Sequence, residues 1–348
     1  MYQLQASSSR ILNCILNTIN QYLDFETINT TIDTPTMSKS TIAVFGASGN
    51  QGNSVVRTIL TTPSLSAMYN VRALSRSTTS SAMQDLRSLG AELVQADMDD
   101  PSTLPTALSG CTYVFLVTTT QYTGSTREVE TRQAKAVCEE AIKQGVKYII
   151  FSSMSHPFKI SGGKLKNVEH FDDKAEIETY IRTLPVKSAF FAPASFMQNL
   201  LDRMKPRPSP AGDGTFVLAD MLPGNTPVPY IDITETGKWI APILAEPEKY
   251  AGNFFAAGEG LYTPDDIASV MSKVTGKTVK HVQLPDEVVK SFFPEGLREQ
   301  LYEMWVLNRE YGYYGEGQKE AVQWAKEQAA GELTGLEAFL KKVEFKLE

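Results

Sequence analysis

A glycine-rich loop between an apolar run and an amphipathic segment is the feature of this sequence that most constrains its fold. The loop has the spacing G-x-x-G-x-x-G and directly follows residues 42–45, which read Ile-Ala-Val-Phe. Such glycines permit a tight turn, a close approach to a pyrophosphate and close packing of the next helix, whose first N–H groups face the phosphates. The pattern predicts a dinucleotide-binding loop, with a glycine-rich turn that binds no ligand as the alternative. The loop comprises Gly46, Ala47, Ser48, Gly49, Asn50, Gln51 and Gly52.

Short apolar runs alternate with helical periodicity through the first half of the chain. Strands that are apolar on both faces and separated by helices form parallel sheets covered on both sides. The pattern therefore predicts an α/β fold with a Rossmann-type, doubly wound parallel sheet, whose ligand crevice lies at the carboxyl ends of the strands. The β-rich runs are residues 41–45, 71–74, 91–95, 113–117, 147–151 and 187–191, and the amphipathic stretches between them include 53–60, 82–89 and 129–144.

Changes in composition divide the 348 residues into three segments. Residues 1–38 are rich in Ser, Thr, Asn and Gln, and we expect them to form a poorly ordered N-terminal extension. Residues 39–193 carry the alternating pattern and form the predicted dinucleotide-binding domain. Residues 194–348 include a Pro- and Gly-rich stretch at 205–230, which prevents long regular elements, and continue with helical patterns. We expect this smaller, mainly helical region to form the substrate or partner pocket, interleaved with the first domain.

The charge balance and the cysteine count disfavour several classes of protein. Lys and Arg number 33 against 40 Asp and Glu, a formal net charge of −7 that gives no net attraction to nucleic-acid phosphates. Cys14, Cys111 and Cys138 show no C-x-x-C spacing, and the three histidines add no ligand-spaced cluster, so no metal site is expected. No apolar run approaches the ~20 residues of a membrane span. We expect no direct nucleic-acid or membrane partner, and a cytoplasmic location with the nucleus as the alternative.

The second predicted strand indicates which dinucleotide binds. An NAD site places Asp or Glu near the end of this strand for the ribose hydroxyls. Here residues 71–77 read Val-Arg-Ala-Leu-Ser-Arg-Ser, with no acid and with Arg76 near the end. A guanidinium can hold a 2′-phosphate through its planar set of donors. The sequence therefore predicts NADP(H) as the cofactor of residues 39–193, and the alternative interpretation is an Arg76 that only faces solvent.

Together these motifs resemble the NmrA-like group of atypical short-chain dehydrogenases/reductases. The resemblance depends on the glycine loop, on Arg76, on residues 94–100 (Val-Gln-Ala-Asp-Met-Asp-Asp) and on residues 170–174 (His-Phe-Asp-Asp-Lys). It is closest to the human-type NADPH redox-sensor branch. It extends from about Thr41 through residues 264–275 and weakens towards the C-terminus.

The resemblance implies contacts with each part of the cofactor. From the residues alone, Thr118, Thr119 and Ser152 are placed at predicted strand ends, where the crevice lies. The remaining roles come from the resemblance. The resemblance implies that Asp97 and Met98 flank the adenine and that Thr118 and Thr119 lie along the pyrophosphate and ribose. It also implies that Lys174 reaches the nicotinamide ribose. The residues that it implies beside the nicotinamide are Phe196, Gln198 and Asn199.

The Tyr-x-x-x-Lys pair of ordinary short-chain dehydrogenases is incomplete in this chain. His170 stands four residues before Lys174, and residues four apart share a helix face. Histidine can act as a general acid near neutral pH, so His170 is the candidate proton donor, and a buried structural histidine is the alternative. Ser153 follows the fifth predicted strand and is the candidate serine that polarises a carbonyl, with a turn or helix cap as the alternative.

These features favour an NADPH-dependent reductase that acts on a small organic electrophile, such as an enone, imine or quinone, in specialised metabolism. Because family members without the tyrosine are often cofactor sensors, the second hypothesis is a non-catalytic NADP(H) redox sensor that regulates a transcription factor or an enzyme. The third is a cofactor-assisted, non-redox cyclase or isomerase. The expected partner is accordingly a small-molecule substrate or a regulated protein. Apolar residues at 190–197, at 221–222 and at Trp305 favour a small-molecule pocket. The aromatic run 311–315 is predicted to be core, with a pocket wall or a partner surface as the alternatives.

Overall fold

A computed structural model describes residues 38–120 and 126–348 of the chain, so the prediction for residues 1–38 lies outside the described part except for its last residue. The strands are β1 Ser40–Val44, β2 Tyr69–Ser75, β3 Glu92–Gln95, β4 Tyr113–Leu116, β5 Tyr148–Ser152, β6 Lys187–Pro193, β7 Ser195–Phe196, β8 Arg207–Pro208, β9 Phe216–Asp220, β10 Val228–Ile231, β11 Phe254–Ala257, β12 Gly260–Tyr262 and β13 Val279–Gln283. The α-helices are α1 Asn50–Thr61, α2 Pro63–Met68, α3 Ser81–Ser88, α4 Leu104–Leu108, α5 Thr126–Lys143, α6 Pro157–Ile160, α7 Glu169–Ile181, α8 Thr236–Ala245, α9 Pro247–Tyr250, α10 Pro264–Thr275, α11 Asp286–Ser291, α12 Arg298–Val306, α13 Gln318–Gln328 and α14 Leu336–Lys342.

The central sheet of the described residues has seven strands in the order β11-β6-β5-β4-β1-β2-β3, and all neighbouring strands are parallel. The strand order reverses at β1, which has β2 on one side and β4 on the other. Open parallel sheets bind ligands beyond the carboxyl ends of their strands at such a reversal. The predicted Rossmann-type sheet is confirmed, and the crevice is expected between the ends of β1 and β4.

Apolar layers cover both faces of this sheet. Along β1, Ile42 and Val44 enter one layer, whereas Ala43 and the following residue, Phe45, enter the other. Successive side chains of a strand point to opposite faces. Because both faces are buried, the strand sequences are continuous apolar runs rather than alternating ones.

Two elements from the C-terminal half complete the sheet and one of its layers. Strand β11 pairs in parallel with β6 at the sheet edge. Helix α8 crosses α1 so closely that a Cβ on Gly237 would lie 2.0 Å from Oγ1 of Thr58. The Gly237 N–H also donates to Oγ of Ser54 at 2.9 Å. Glycine is required at this crossing, and it brings the C-terminal half directly onto the helix that follows the glycine loop.

The rest of the C-terminal half contains helices, as predicted, together with short strands that the sequence pattern did not predict. These strands form two small sheets in the described residues, β12-β10-β7 and β13-β9-β8. They contain two to five residues, and β8 and β10 each include a proline, so their sequences lack a clear alternating pattern. In the described part of the chain, no helix is both long enough and apolar enough to cross a membrane.

Candidate functional site

The glycine loop has the geometry that its sequence spacing predicted. Gly46 has a φ of +65°, and a Cβ there would lie 2.8 Å from Cγ1 of Val117, just after β4. A Cβ on Gly52 would lie 2.4 Å from the Gly46 carbonyl oxygen, whereas one on Gly49 would lie 3.4 Å from it. The Gly49 N–H closes the turn on that carbonyl at 2.9 Å. Side chains are therefore excluded at Gly46 and Gly52, where strand, loop and helix approach each other most closely.

Helix α1 begins without a side-chain cap. Gly49 occupies its N-cap position, no side-chain cap hydrogen bond is formed there by the described residues, and the first turn carries no acid. Ser48, Gly49 and Asn50 are exposed, whereas Ala47 is buried and its N–H donates to the Leu74 carbonyl of β2 at 3.1 Å. Uncapped N–H groups and the helix dipole both favour an anion at this end.

The two arginines of the second strand region have different surroundings. Arg72 has a structural role, because its Nε donates to Glu92 at 2.8 Å and its Nη1 donates to the Ser109 carbonyl at 2.8 Å. Arg76 follows the end of β2, is exposed, and forms no hydrogen bond or ion pair with another described residue. A guanidinium beside the uncapped loop is available for a phosphate group.

The residues after β3 form a turn tied to the neighbouring helix. Asp97 and Met98 are half-buried, and the Asp97 N–H donates to Oγ1 of Thr103 at 3.0 Å. Asp99 accepts a hydrogen bond from the amide of Gln133 on α5 at 3.0 Å. The other end of that amide accepts from the Thr119 N–H at 3.3 Å. A buried glutamine therefore joins the predicted adenine side of the crevice to the segment that follows β4.

A buried cluster surrounds Lys174 at the end of β4. The Lys174 ammonium on α7 donates to Oγ1 of Thr118 at 2.8 Å and to Oε2 of Glu130 on α5 at 2.5 Å. The Thr118 hydroxyl also donates to Oε2 of Glu130. Glu130 has no exposed surface, and Lys174 is only 8% exposed. The structure thus brings together Lys174 and Thr118, two residues that the sequence predicted, and adds a carboxylate that it did not.

His170 lies one helical turn before Lys174 and is buried. Its Nδ1 accepts a hydrogen bond from the amide nitrogen of Gln300 on α12 at 2.5 Å, so in this arrangement Nε2 carries the hydrogen. Burial, reinforced by the nearby Lys174 ammonium, lowers the pKa of His170 from 6.5 to about 4. The imidazole is therefore neutral at physiological pH.

The two serines at the end of β5 point to different partners. Ser152 donates to Oε1 of Gln51 in the glycine loop at 2.8 Å, and Ser153 donates to Oε2 of Glu178 on α7 at 2.5 Å. Both serines are buried. Of the pair, Ser152 is the residue in direct contact with the glycine loop, whereas the hydroxyl of Ser153, the predicted catalytic serine, is engaged by a carboxylate.

The residues predicted to border the nicotinamide lie in the segment after β6. Phe196, Gln198 and Asn199 are all half-buried. The Gln198 amide nitrogen donates to Oδ1 of Asp232 at 2.7 Å. Burial raises the pKa of Asp232, but hydrogen bonds from Thr234 and Gln198 outweigh it and leave the pKa below its ordinary value. An ionised Asp232 thus holds Gln198 in place.

Comparison with known proteins places this architecture in a family. The model of the NmrA-like family matches residues 38–340. The chain belongs to the NmrA-like family. An NmrA-like family domain-containing protein of Dictyostelium discoideum is 32% identical over 90% of this chain and 100% of its own length. The NmrA-like family domain-containing oxidoreductase FrzB of Cladobotryum sp is 31% identical over 69% of this chain and 75% of its own.

The likeness extends to solved structures. NmrA, described as a negative transcriptional regulator and crystallised in complex with NADP, superposes with a TM-score of 0.71. The match covers 88% of this chain and 97% of that one at 22% identity. This identity shows a shared fold. The resemblance stated from the sequence motifs is confirmed at the level of the NmrA-like family by the match of the family model to residues 38–340.

Two polar residues of this NmrA-like site were not predicted from the sequence. Glu130 and Gln133 lie three residues apart on α5, and both are buried. Charged and amide side chains on a polar helix ordinarily indicate a solvated face. The available signal was the position of this helix directly after β4, because its first turns then lie beside the crevice.

The aromatic run of the C-terminal half packs into the interior of the NmrA-like fold. The Tyr313 hydroxyl donates to the Pro193 carbonyl at 3.1 Å, and the Tyr314 hydroxyl donates to the Ala192 carbonyl at 2.7 Å. Phe171, next to His170, packs edge-on against Tyr313 at 5.3 Å between ring centroids. The aromatic residues therefore wall the region beside α7. Among the described residues, no group of three or more His, Cys, Asp and Glu side chains is arranged to hold a metal ion.

Proposed function

We propose that the protein is an NADPH-dependent reductase of a small organic electrophile of the enone, imine or quinone type. One observation carries the cofactor assignment. Arg76 stands at the end of β2 beside an uncapped glycine loop, and no described residue engages its guanidinium. A 2′-phosphate is the group that fits a planar set of donors at this position. The complexes of NmrA with NADP and with NAD support a dinucleotide site, and the oxidoreductase name of the Cladobotryum relative supports a redox role.

The proposed binding mode follows the carboxyl edge of the sheet. Residues 39–193 bind NADP(H), and residues 194–348 supply most of the substrate pocket. The pyrophosphate lies at the start of α1, because the N–H groups there have no side-chain cap. The other proposed contacts, from the adenine to the nicotinamide, are Asp97, Met98, Thr118, Thr119, Lys174, Phe196, Gln198 and Asn199.

The proposed catalytic residues are His170, Lys174 and Ser153. When bound, NADPH supplies a hydride to the electrophilic carbon of the substrate. The neutral imidazole of His170 donates a hydrogen bond to the oxygen or nitrogen that gains negative charge, so the electrophile is polarised without an imidazolium, and water supplies the proton that completes the reduction. His170 has this protonation state because its pKa is about 4. Lys174 holds the nicotinamide ribose, and Ser153 polarises the electrophile once its hydroxyl turns from Glu178 to the substrate.

The partner in this proposal is a small molecule in the cytoplasm. The apolar and aromatic surroundings of α7 support it, because Phe171, Met221 and Tyr313 belong to one buried cluster beside His170. Pockets for small ligands are lined mainly by such side chains, with a few polar groups that fix the orientation.

A second candidate is a non-catalytic NADP(H) sensor. The observation that favours it is the histidine at the position of the usual catalytic tyrosine, since a buried neutral imidazole is a weaker acid than an imidazolium. The description of NmrA as a negative transcriptional regulator agrees with this candidate.

The deciding experiment is a titration of the purified protein with NADPH, NADP⁺ and NADH, followed by incubation of the NADPH complex with enones, imines and quinones. The nicotinamide absorbance reports consumption of the cofactor. Tight NADPH binding with substrate-dependent loss of this absorbance supports the reductase. Tight binding without consumption across the panel supports the sensor, and preferential binding of NADH refutes the cofactor assignment.

A further inference from the structure

The two carboxylate oxygens of Glu130 have different surroundings. Oε2 accepts from the Lys174 ammonium at 2.5 Å and also from the Thr118 hydroxyl. Oε1 has no hydrogen-bond partner among the described residues, although the side chain is fully buried. A buried acceptor without a partner destabilises a fold by about 1–3 kcal/mol, and more when it is charged. Such a group in a native structure calls for a partner, such as a ligand, an ion or a water molecule.

The ammonium of Lys174 is already saturated by protein acceptors. Its three N–H donors meet Oε2 of Glu130 at 2.5 Å, Oγ1 of Thr118 at 2.8 Å and the Thr118 carbonyl at 3.4 Å. The contact with the carbonyl is the longest and therefore the weakest. An incoming ligand hydroxyl can take the place of this third contact without breaking the other two.

A vicinal diol can bind both the third N–H of Lys174 and Oε1 of Glu130. A hydroxyl that accepts from Lys174 still has a hydrogen to donate, and the neighbouring hydroxyl has another. Oε1 of Glu130 is an acceptor with an unused position, and it belongs to the carboxylate that already binds this ammonium. Hydrogen bonds that involve an ionised partner are about twice as strong as neutral ones.

The position of the cluster in the fold indicates which diol of the cofactor lies beside it. Thr118 lies two residues beyond β4, next to the reversal of strand order, and the adjacent Val117 contacts the position of a Cβ on Gly46. The cluster therefore lies directly beside the glycine loop. Asp173, the residue before Lys174 on α7, also has a buried oxygen without a partner, but its other oxygen pairs with Arg127, whose side chain is half exposed to water.

We infer that Glu130 is a cofactor-binding residue, which accepts a hydrogen bond from the diol of the nicotinamide ribose through Oε1 while Lys174 donates to the same diol. The inference depends on the proposed NADP(H) site and is independent of turnover. In this inference Glu130, Lys174 and Thr118 act together. One oxygen of the Glu130 carboxylate orients the Lys174 ammonium, and the other accepts a hydrogen bond from the ribose.

The test compares two ligands that share the 2′-phosphate. NADPH contains the nicotinamide ribose, whereas adenosine 2′,5′-bisphosphate ends before it. In Glu130→Gln the single carbonyl oxygen can serve Lys174 or the ribose, but not both. We expect the variant to bind NADPH about tenfold more weakly or worse, and to bind adenosine 2′,5′-bisphosphate within about twofold of the wild-type chain, as measured by calorimetric titration.

Glu259→Gln is the matched control. Glu259 is another largely buried carboxylate, paired with Lys326 at 2.9 Å in the C-terminal half, and its variant should bind both ligands as the wild type does. Binding of the bisphosphate also reports whether Glu130→Gln has kept its fold. Unchanged or tighter NADPH binding by Glu130→Gln overturns the inference, as does an equal loss of both ligands. If the wild-type chain binds neither ligand, the cofactor proposal fails as well, and the two failures are thereby distinguished.

Discussion

Replacing Gly52 by alanine places a methyl group inside the backbone of its own loop. The new Cβ would lie 2.4 Å from the Gly46 oxygen, 2.5 Å from the Gly46 carbonyl carbon and 2.8 Å from the Ala47 nitrogen. Ordinary van der Waals contact begins near 3.4 Å, so the loop must open by about 1 Å. All three atoms belong to the backbone, and no flexible side chain can move aside to relieve the overlap.

The expected energy follows from two opposing effects. Alanine gains about 1 kcal/mol over glycine in a helix, and overpacking against close-packed atoms costs about 1–3 kcal/mol or more. Because backbone must move, we take the upper end and expect a net loss of about 2 kcal/mol in the free energy of unfolding. This corresponds to a fall in Tm of about 3 °C for a chain of 348 residues. NADPH binding should weaken as well, since the start of α1 is displaced.

Gly49→Ala is the matched control for this prediction. Gly49 has a φ of −97°, which any residue adopts, and a Cβ there would meet the Gly46 oxygen at 3.4 Å. We expect a change in unfolding free energy below about 1 kcal/mol. Thermal unfolding of both variants, followed by circular dichroism, provides the measurement. Equal Tm values for Gly52→Ala and Gly49→Ala would refute the steric reasoning.

Three further predictions concern the crevice. Arg76→Ala should weaken NADP(H) binding about tenfold or more and change NAD(H) binding little, and equal losses in a fluorescence titration would contradict the 2′-phosphate assignment. His170→Ala should abolish NADPH consumption with cofactor affinity nearly unchanged, whereas unchanged turnover would make His170 a structural residue. The pKa of His170 falls from 6.5 to about 4 on folding, so the unfolded chain binds more protons between these values and stability falls as the pH drops from 6.5 to 4. His170→Gln should flatten that loss in denaturation curves, and an unchanged slope would argue against the burial effect.

The sheet was predictable where local sequence and tertiary environment agree. Six of its seven described strands are apolar runs of ordinary length between helical patterns, and the sequence alone located them. Strand β11 was missed because Phe254–Ala257 has only four residues and lies in a half of the chain dominated by helical patterns. Its partner β6 is more than sixty residues away, and no local periodicity reports such a pairing.

The site was predictable in its loop and less so in its polar interior. The backbone geometry of the loop requires glycine at particular positions, so the spacing of the glycines in the sequence was enough to predict the loop. Glu130 stands on a helix with many charged residues, and only the packing of α5 against α7 reveals that it is buried against Lys174. In the same way, the sequence could not distinguish Ser152 from Ser153, because their partners Gln51 and Glu178 come from distant parts of the chain.

The crossing of α8 over α1 has a consequence for how the chain folds during its synthesis. Ser54 and Gly237 are 183 residues apart, so a ribosome that adds about 5–20 residues per second makes the second helix roughly 10–40 s after the first. Throughout that interval the side of α1 that contacts α8 and the open edge of β6 have no native cover. Exposed apolar surface and unpaired strand edges attract chaperones and favour aggregation. The nascent chain therefore acquires a cofactor crevice late, and a truncated product that ends before α8 should bind chaperones rather than nucleotide.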